Sequence, residues 1–275
     1  MNNKVLIILG MHRSNTSLTS QWLYRCGLNV GENLLGSSIG NVNGHYEDND
    51  FLKLHEEILV HYNLTKFGLI DCKLPTLRSE DEKRINELIA TKNLSNIEWG
   101  WKEPRTCLFV DYYYKYIPNA FYLFVFRDYE LVVSSLITRI YNRTEKKYDN
   151  KKGLSKFIWN NFKKRFRKKK LLRNFSKKFL KVWINYNNHI LYHINRLPKE
   201  QYQIITQESL SNNSSYIFKI IKEVWGFNSL EYIPFNEIYK KELQSNVLNI
   251  KKYIKNKDII KEADLLQKKI LDELL

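Results

Sequence analysis

At 275 residues, 43% hydrophobic and 14% aromatic, the chain carries enough apolar content for a buried core, which excludes wholesale disorder. Its formal charge of +16 is local: residues 150–199 hold 16 Lys/Arg and no Asp/Glu, leaving 29 basic and 29 acidic residues elsewhere, so a uniformly basic protein is excluded. Three widely spaced cysteines, Cys26, Cys72 and Cys107, make neither a disulfide framework nor a zinc pattern and point to a reducing compartment.

Val5–Leu9 is a continuous apolar, β-branched run, the pattern of a buried parallel strand. It is too short for a signal-peptide core, and no later segment reaches about 18 uncharged apolar residues, so a soluble cytoplasmic protein is expected. Thr16–Cys26 reads as a helix stopped at Gly27, and Gly36–Gly44 as a loop. Helices are predicted at Phe51–His61 and Glu80–Lys92, then a short strand at Ile97–Trp101 running into Lys102-Glu103-Pro104-Arg105. Phe109–Tyr116 reads as a helix, Phe121–Phe126 as a second strong strand and Glu130–Tyr141 as a helix. Residues 155–197 read as helical with basic faces, Tyr202–Thr206 as a last strand, and Leu210–Trp225 and Ile250–Leu275 as helices. No internal repeat is present.

Strands alternating with helices predict an α/β fold: one P-loop-type domain over residues 1–275, with a central, mostly parallel sheet flanked by helices and a basic helical segment at 150–199. Ligands in such sheets bind at the carboxyl ends of the strands. After the first strand comes Gly10-Met11-His12-Arg13-Ser14-Asn15-Thr16-Ser17, a tight polar loop running into a helix. A helix start offers unpaired N–H groups and a positive dipole end, Ser14, Thr16 and Ser17 add hydroxyls, and Arg13 adds a permanent charge. An ordinary capped strand-to-helix turn is the plainer alternative. Asn15 and Thr16 stand where a Walker A loop has Gly-Lys, which disfavours an ATP kinase. The second strong strand delivers Arg127 to its carboxyl end, with Ser135 eight residues on. The two could meet on one anion, or Arg127 could pair with a nearby carboxylate.

These residues resemble the PAPS-dependent sulfotransferases, closest to the bacterial branch, whose loop reads Gly-Met-His-Arg-Ser-Gly-Thr-Ser. Arg127-Asp128 followed by Ser135 resembles that family's 3′-phosphate motif. Gly44-His45-Tyr46-Glu47-Asp48, Phe51–Glu57, Trp99-Gly100-Trp101-Lys102-Glu103-Pro104-Arg105 and Ile205–Leu210, with Val224–Phe227 after it, resemble further family stretches in the same order. Asn15 replaces the loop glycine, Tyr129 the usual proline, and Gln207 and Ser209 the family's Tyr and Asp.

The resemblance implies transfer of a sulfuryl group from PAPS (3′-phosphoadenosine 5′-phosphosulfate) to a hydroxyl of a carbohydrate or glycolipid acceptor, with 3′,5′-ADP leaving and no metal required. It implies that Arg13 acts on the bridging oxygen, that Ser14, Asn15, Thr16 and Ser17 hold the 5′-phosphate, and that Arg127 and Ser135 hold the 3′-phosphate. Glu47 is the candidate base, His45 the runner-up, and Lys102 either orients the sulfonate or is an ion-pair partner. The plainer readings pair Glu47 with Lys102 or Arg105 and make His45 structural. A catalytically inactive nucleotide- or polyanion-binding relative is the alternative function, with a P-loop kinase behind it. Lys163–Lys181 packs 11 Lys/Arg into 19 residues with Phe166, Phe175 and Phe179 interleaved. It reads as a solvated face, or as a landing site for a polyanion or an anionic membrane surface, with no motif for specific nucleic-acid recognition.

Overall fold

The computed structural model describes residues 3–36, 44–149, 152–239 and 246–274. Most of the predicted Gly36–Gly44 loop, residues 37–43, lies outside them. Four strands, β1 (Lys4–Leu9), β2 (Glu98–Lys102), β3 (Phe121–Val125) and β4 (Tyr202–Ile205), form one sheet in the order β2-β1-β3-β4, parallel throughout. Each is bounded within about a residue of its expected range.

The strands are apolar on both faces because both faces are covered. Alternation sends Val5, Ile7, Leu9, Trp99, Trp101, Tyr122 and Phe124 to one side, and Leu6, Ile8, Leu123, Val125 and Ile205 to the other. The second face is closed by α1 (Thr16–Arg25), through Trp22 and Leu23, and by α8 (Gln207–Lys219), through Leu210, Ile217 and Phe218. The first face is closed by α2 (Asn49–His61), α3 (Ser79–Ser95), α4 (Val110–Tyr116), α5 (Tyr129–Asp149), α7 (Lys164–Ile194) and α9 (Asp258–Asp272). A short helix α6 (Leu154–Ile158) and one π-helical turn, Trp159–Lys163, lead into α7, so the expected helical stretch over 155–197 holds with a change of pitch.

Three expected helices are corrected: α5 runs on to Asp149, eight residues past its expected end at Tyr141. The α8 helix starts at Gln207 rather than Leu210, because Thr206 caps it: the Thr206 side chain accepts from Ser209 N at 3.1 Å while the Ser209 hydroxyl accepts from Thr206 N at 2.8 Å. The predicted Ile250–Leu275 helix is a single 3-10 turn at Lys251–Tyr253, an extended Ile254, and then α9. The Asn256 side chain accepts from Asp258 N at 2.9 Å, a local bond that competes with helical continuation.

Sheet order decides where a ligand can sit. From β1 the chain goes to β2 on one side, and from β3 to β4 on the other, so the crevice between the carboxyl ends of β1 and β3 is a topological switch point. Four chain segments leave the sheet at this edge: the loop from Gly10, Lys102-Glu103, Phe126-Arg127-Asp128 and Thr206-Gln207.

Candidate functional site

The loop after β1 turns through two left-handed residues, Arg13 at φ 70° and Asn15 at φ 69°, with Ser14 N donating to Met11 O at 3.1 Å. Asn tolerates that conformation better than most side chains, so the departure from glycine at 15 leaves the turn intact. Gly10 is required by contact: a Cβ there would lie 2.6 Å from Val125 O and 2.7 Å from Thr16 Cγ2. Asn15 is the N-cap residue before α1, whose first turn has no acidic residue and no side-chain cap. Among the described residues, the N–H groups of Asn15, Thr16 and Ser17 have no backbone partner, so the positive end of α1 is open.

Arg127, delivered by β3, reaches back over this loop. Its Nη1 donates to Arg13 O at 2.8 Å and to Asn15 Oδ1 at 3.4 Å. It does not pair with Asp128 by hydrogen bond. Asp128 instead caps α5, accepting from Glu130 N at 2.7 Å, and accepts from Gln267 Nε2 of α9 at 2.7 Å. Arg13 Nε donates to Ser135 Oγ on α5 at 2.8 Å. The four residues assigned to two ends of a nucleotide are therefore one cluster, bridged by Arg13. Asn15 Nδ2 donates to Gln207 Oε1 at 2.6 Å, so two departures from the family pattern, 192 residues apart, contact each other. Tyr129 also has a structural role: its hydroxyl donates to Asp264 Oδ1 at 2.6 Å, and its ring meets Trp183 edge-on.

Glu47 reaches the same edge through a left-handed residue, Tyr46, at φ 49°. The segment around it is pinned by Leu35 N donating to Glu47 O at 2.8 Å and Ser20 Oγ donating to Tyr46 O at 3.1 Å. Lys102, the last residue of β2, is fully buried and donates to Glu47 Oε1 at 2.8 Å and to Ser17 Oγ at 3.1 Å. Its ammonium thus joins the candidate base to the first turn of α1. Burial lowers the Lys102 pKa, and Glu47 opposes that shift. His45 Nδ1 lies 3.8 Å from Glu47 Oε1, and burial lowers its pKa as well. Arg105 is not a partner of Glu47. Its Nη2 donates to Glu56 at 3.0 Å and its Nη1 to Glu103, in a buried network with His55 and Tyr113.

Two groups were missed as site residues by sequence reasoning. Arg139 lies one helical turn beyond Ser135 on α5, and it depresses the Arg13, His12 and His45 pKa values. Its own Nε is buried without a hydrogen-bond partner among the described residues. The spacing Ser135, Arg139, Arg143 is the signal that could have found it. His12 is held neutral, its pKa lowered to about 3 by burial and then by Arg105, and its Nε2 is likewise buried and unpartnered among the described residues.

The electrostatics of the cluster have one sign. The Arg13 pKa is pushed down to about 10 by burial and by the nearby Arg139 and Arg127 guanidiniums. Burial also lowers Arg127 and Arg139. Three crowded cations beside an open helix N-terminus give this edge a positive potential that favours anions. The Cys107 thiol, which accepts from Gly10 N at 3.1 Å, is pushed up to about 12 by burial and is inert. Among the described residues, no group of three or more His, Cys, Asp or Glu side chains is placed to hold a metal ion, and no helix is long and apolar enough to cross a membrane.

No family model matches the chain, and no curated protein matches it. Solved structures do. The sulfotransferase STF9 from Mycobacterium avium aligns over 99% of this chain and 77% of its own, with a TM-score of 0.57 at 13% identity. A sulfotransferase domain from the curacin biosynthetic pathway covers 99% of both chains at 13% identity, but its TM-score of 0.48 adds nothing to the fold assignment. The chain has an α/β fold with a central four-stranded parallel sheet flanked by helices, and that fold is similar to the one of the Mycobacterium avium sulfotransferase.

Proposed function

We propose that this chain transfers a sulfuryl group from PAPS to a hydroxyl of a carbohydrate or glycolipid acceptor. The observation that carries the reading is the polyanion cradle at the switch point: an open helix N-terminus ringed by Arg13, Arg127 and Ser135. The fold likeness supports it, and the ordered motifs support the donor.

In this reading the N–H groups of residues 15–17, with Thr16 and Ser17, hold the 5′-phosphate. Arg127 and Ser135 take the 3′-phosphate. Binding exchanges the Arg13–Ser135 hydrogen bond for contacts to the nucleotide, which frees Arg13 to neutralise the bridging oxygen. The acceptor oxygen attacks sulfur in line as the bond from sulfur to the bridging oxygen breaks, and 3′,5′-ADP leaves with that electron pair. The hydroxyl proton passes to the Glu47 carboxylate. Lys102, joined to both Glu47 and Ser17, orients the base and the sulfonate.

Calorimetric titration of the whole chain with 3′,5′-ADP, 5′-AMP and ATP, without added metal, tests the donor. We expect 3′,5′-ADP to bind at least about tenfold tighter than the other two, because the second phosphate adds charge-assisted contacts. Arg127→Ala should narrow that preference more than it lowers 5′-AMP affinity. Equal binding of 3′,5′-ADP and 5′-AMP by the folded wild type would overturn the reading.

A further inference from the structure

The second concentration of charge lies away from this edge, on the arm formed by α6, the π-helical turn and the first half of α7. The inner side of the arm is anchored: Trp159 stacks on Tyr148 with ring centroids 4.1 Å apart, and Leu171 and Leu172 are buried. The outer side is apolar where solubility alone would make it polar. Phe162 is 60% exposed and Phe166 73%, four residues apart, with Phe157 and Leu154 at 59% and 75% before them. Lys169, Lys170 and Arg173 continue at helical spacing from Phe166 and are exposed. Lys164 pairs with Glu145 and Lys181 with Asp71. Among the described residues, Lys168, Lys169, Lys170, Arg173, Lys177 and Lys178 make no ion pair, so the arm's positive charge is largely unneutralised.

We propose that this arm docks the protein on an anionic phospholipid surface. Phe162 and Phe166 enter the headgroup boundary while the lysines and Arg173 meet lipid phosphates. A helix that is cationic and also carries exposed phenyl rings has the two properties interfacial helices combine. A soluble polyanion would engage the cations and leave the phenyl rings in water, which is why the bilayer is favoured. The same helix runs to the donor edge, where Trp183 Nε1 donates to Arg127 O at 3.1 Å. At about 1.5 Å per residue, the rings at Phe166 sit about 25 Å along α7 from Trp183. A docked protein would thus hold its candidate site at a set distance from the membrane. The arm is independent of the nucleotide the loop binds, so failure here leaves the donor reading untouched.

Co-sedimentation of the full chain with vesicles of phosphatidylcholine, with or without about 30% phosphatidylglycerol, tests this. We expect at least about tenfold tighter binding to the anionic vesicles, weakening as salt is raised. The double variant Phe162→Ser/Phe166→Ser, at unchanged charge, should bind about tenfold more weakly. Lys168→Gln/Lys169→Gln/Lys170→Gln should lose most of the salt dependence. Circular dichroism and nucleotide titration of each variant check the fold, and Phe166→Ala alone takes the place of the double variant if that misfolds. Equal binding to neutral and anionic vesicles, or wild-type binding by the phenylalanine variants, would overturn the proposal. So would retention on heparin or single-stranded RNA by wild type and variants alike, with vesicles left unbound.

Discussion

Glu47 shows how one side chain can carry two readings. Its ion pair with the buried Lys102 is the structural alternative foreseen from sequence, and its place beside the helix start is what a base would need. The two readings separate on substitution. Glu47→Gln keeps a hydrogen-bond acceptor for Lys102 but removes the basic carboxylate. If Glu47 takes the acceptor proton, turnover should fall about 10²–10⁴-fold with 3′,5′-ADP affinity near wild type. If it only neutralises Lys102, turnover should fall little and the urea midpoint should drop, because a buried ammonium has lost its counter-charge. Paired kinetics and denaturation decide between them. Asn15 is the other residue where local and long-range effects meet. Its tolerance of a left-handed φ was legible from its identity, but its bond to Gln207 was not, because nothing local couples positions 192 residues apart.

Among the elements, the β1–α1 turn is the one whose geometry everything else presupposes. Its entry at Gly10 is packed against the β3 backbone at Val125 O and against Thr16 of its own helix. Gly10→Ala should therefore move either a strand backbone or the helix start, neither of which yields cheaply. We expect a loss of more than about 2 kcal/mol, read as a lower urea midpoint at unchanged slope. A midpoint within error of wild type would show that the cradle is looser than the packing implies. The elements themselves were largely readable: continuous apolar runs marked β1 and β3, and the glycine stop marked the end of α1. What failed was the C-terminal helix, where apolar spacing continued through a break made by the Asn256 side chain.

Across the whole molecule, five of six histidines are held below their ordinary pKa by burial: His12 to about 3, His193 to about 4, and His45, His55 and His189 in the same direction. The unfolded chain binds these protons near pH 6.5, and the folded chain binds them only at lower pH. Stability must then fall as pH drops below about 6.5, with most of the His12 and His193 effect spent by pH 3–4. We expect the melting temperature to drop by about 5–10 °C between pH 7 and pH 5, measured by calorimetry at constant salt. A flat profile would mean that these imidazoles are solvated.

The residues of the chain were sufficient to establish a parallel α/β sheet, a tight polar loop running from its first strand into a helix, an arginine at the end of another strand and a basic segment elsewhere. Each of these is a local pattern, set by side-chain period, turn chemistry or charge within a few tens of residues. Strand order is not local, and here it decides the site. Placing β1 between β2 and β3 brings Lys102 from one neighbour and Arg127 from the other to the same loop. It also seats α5 so that Ser135 meets Arg13 and Arg139 adds its charge. Those meetings depend on which strands pair across about a hundred residues of chain, and such pairing is settled by packing both faces of the sheet at once rather than by any segment alone.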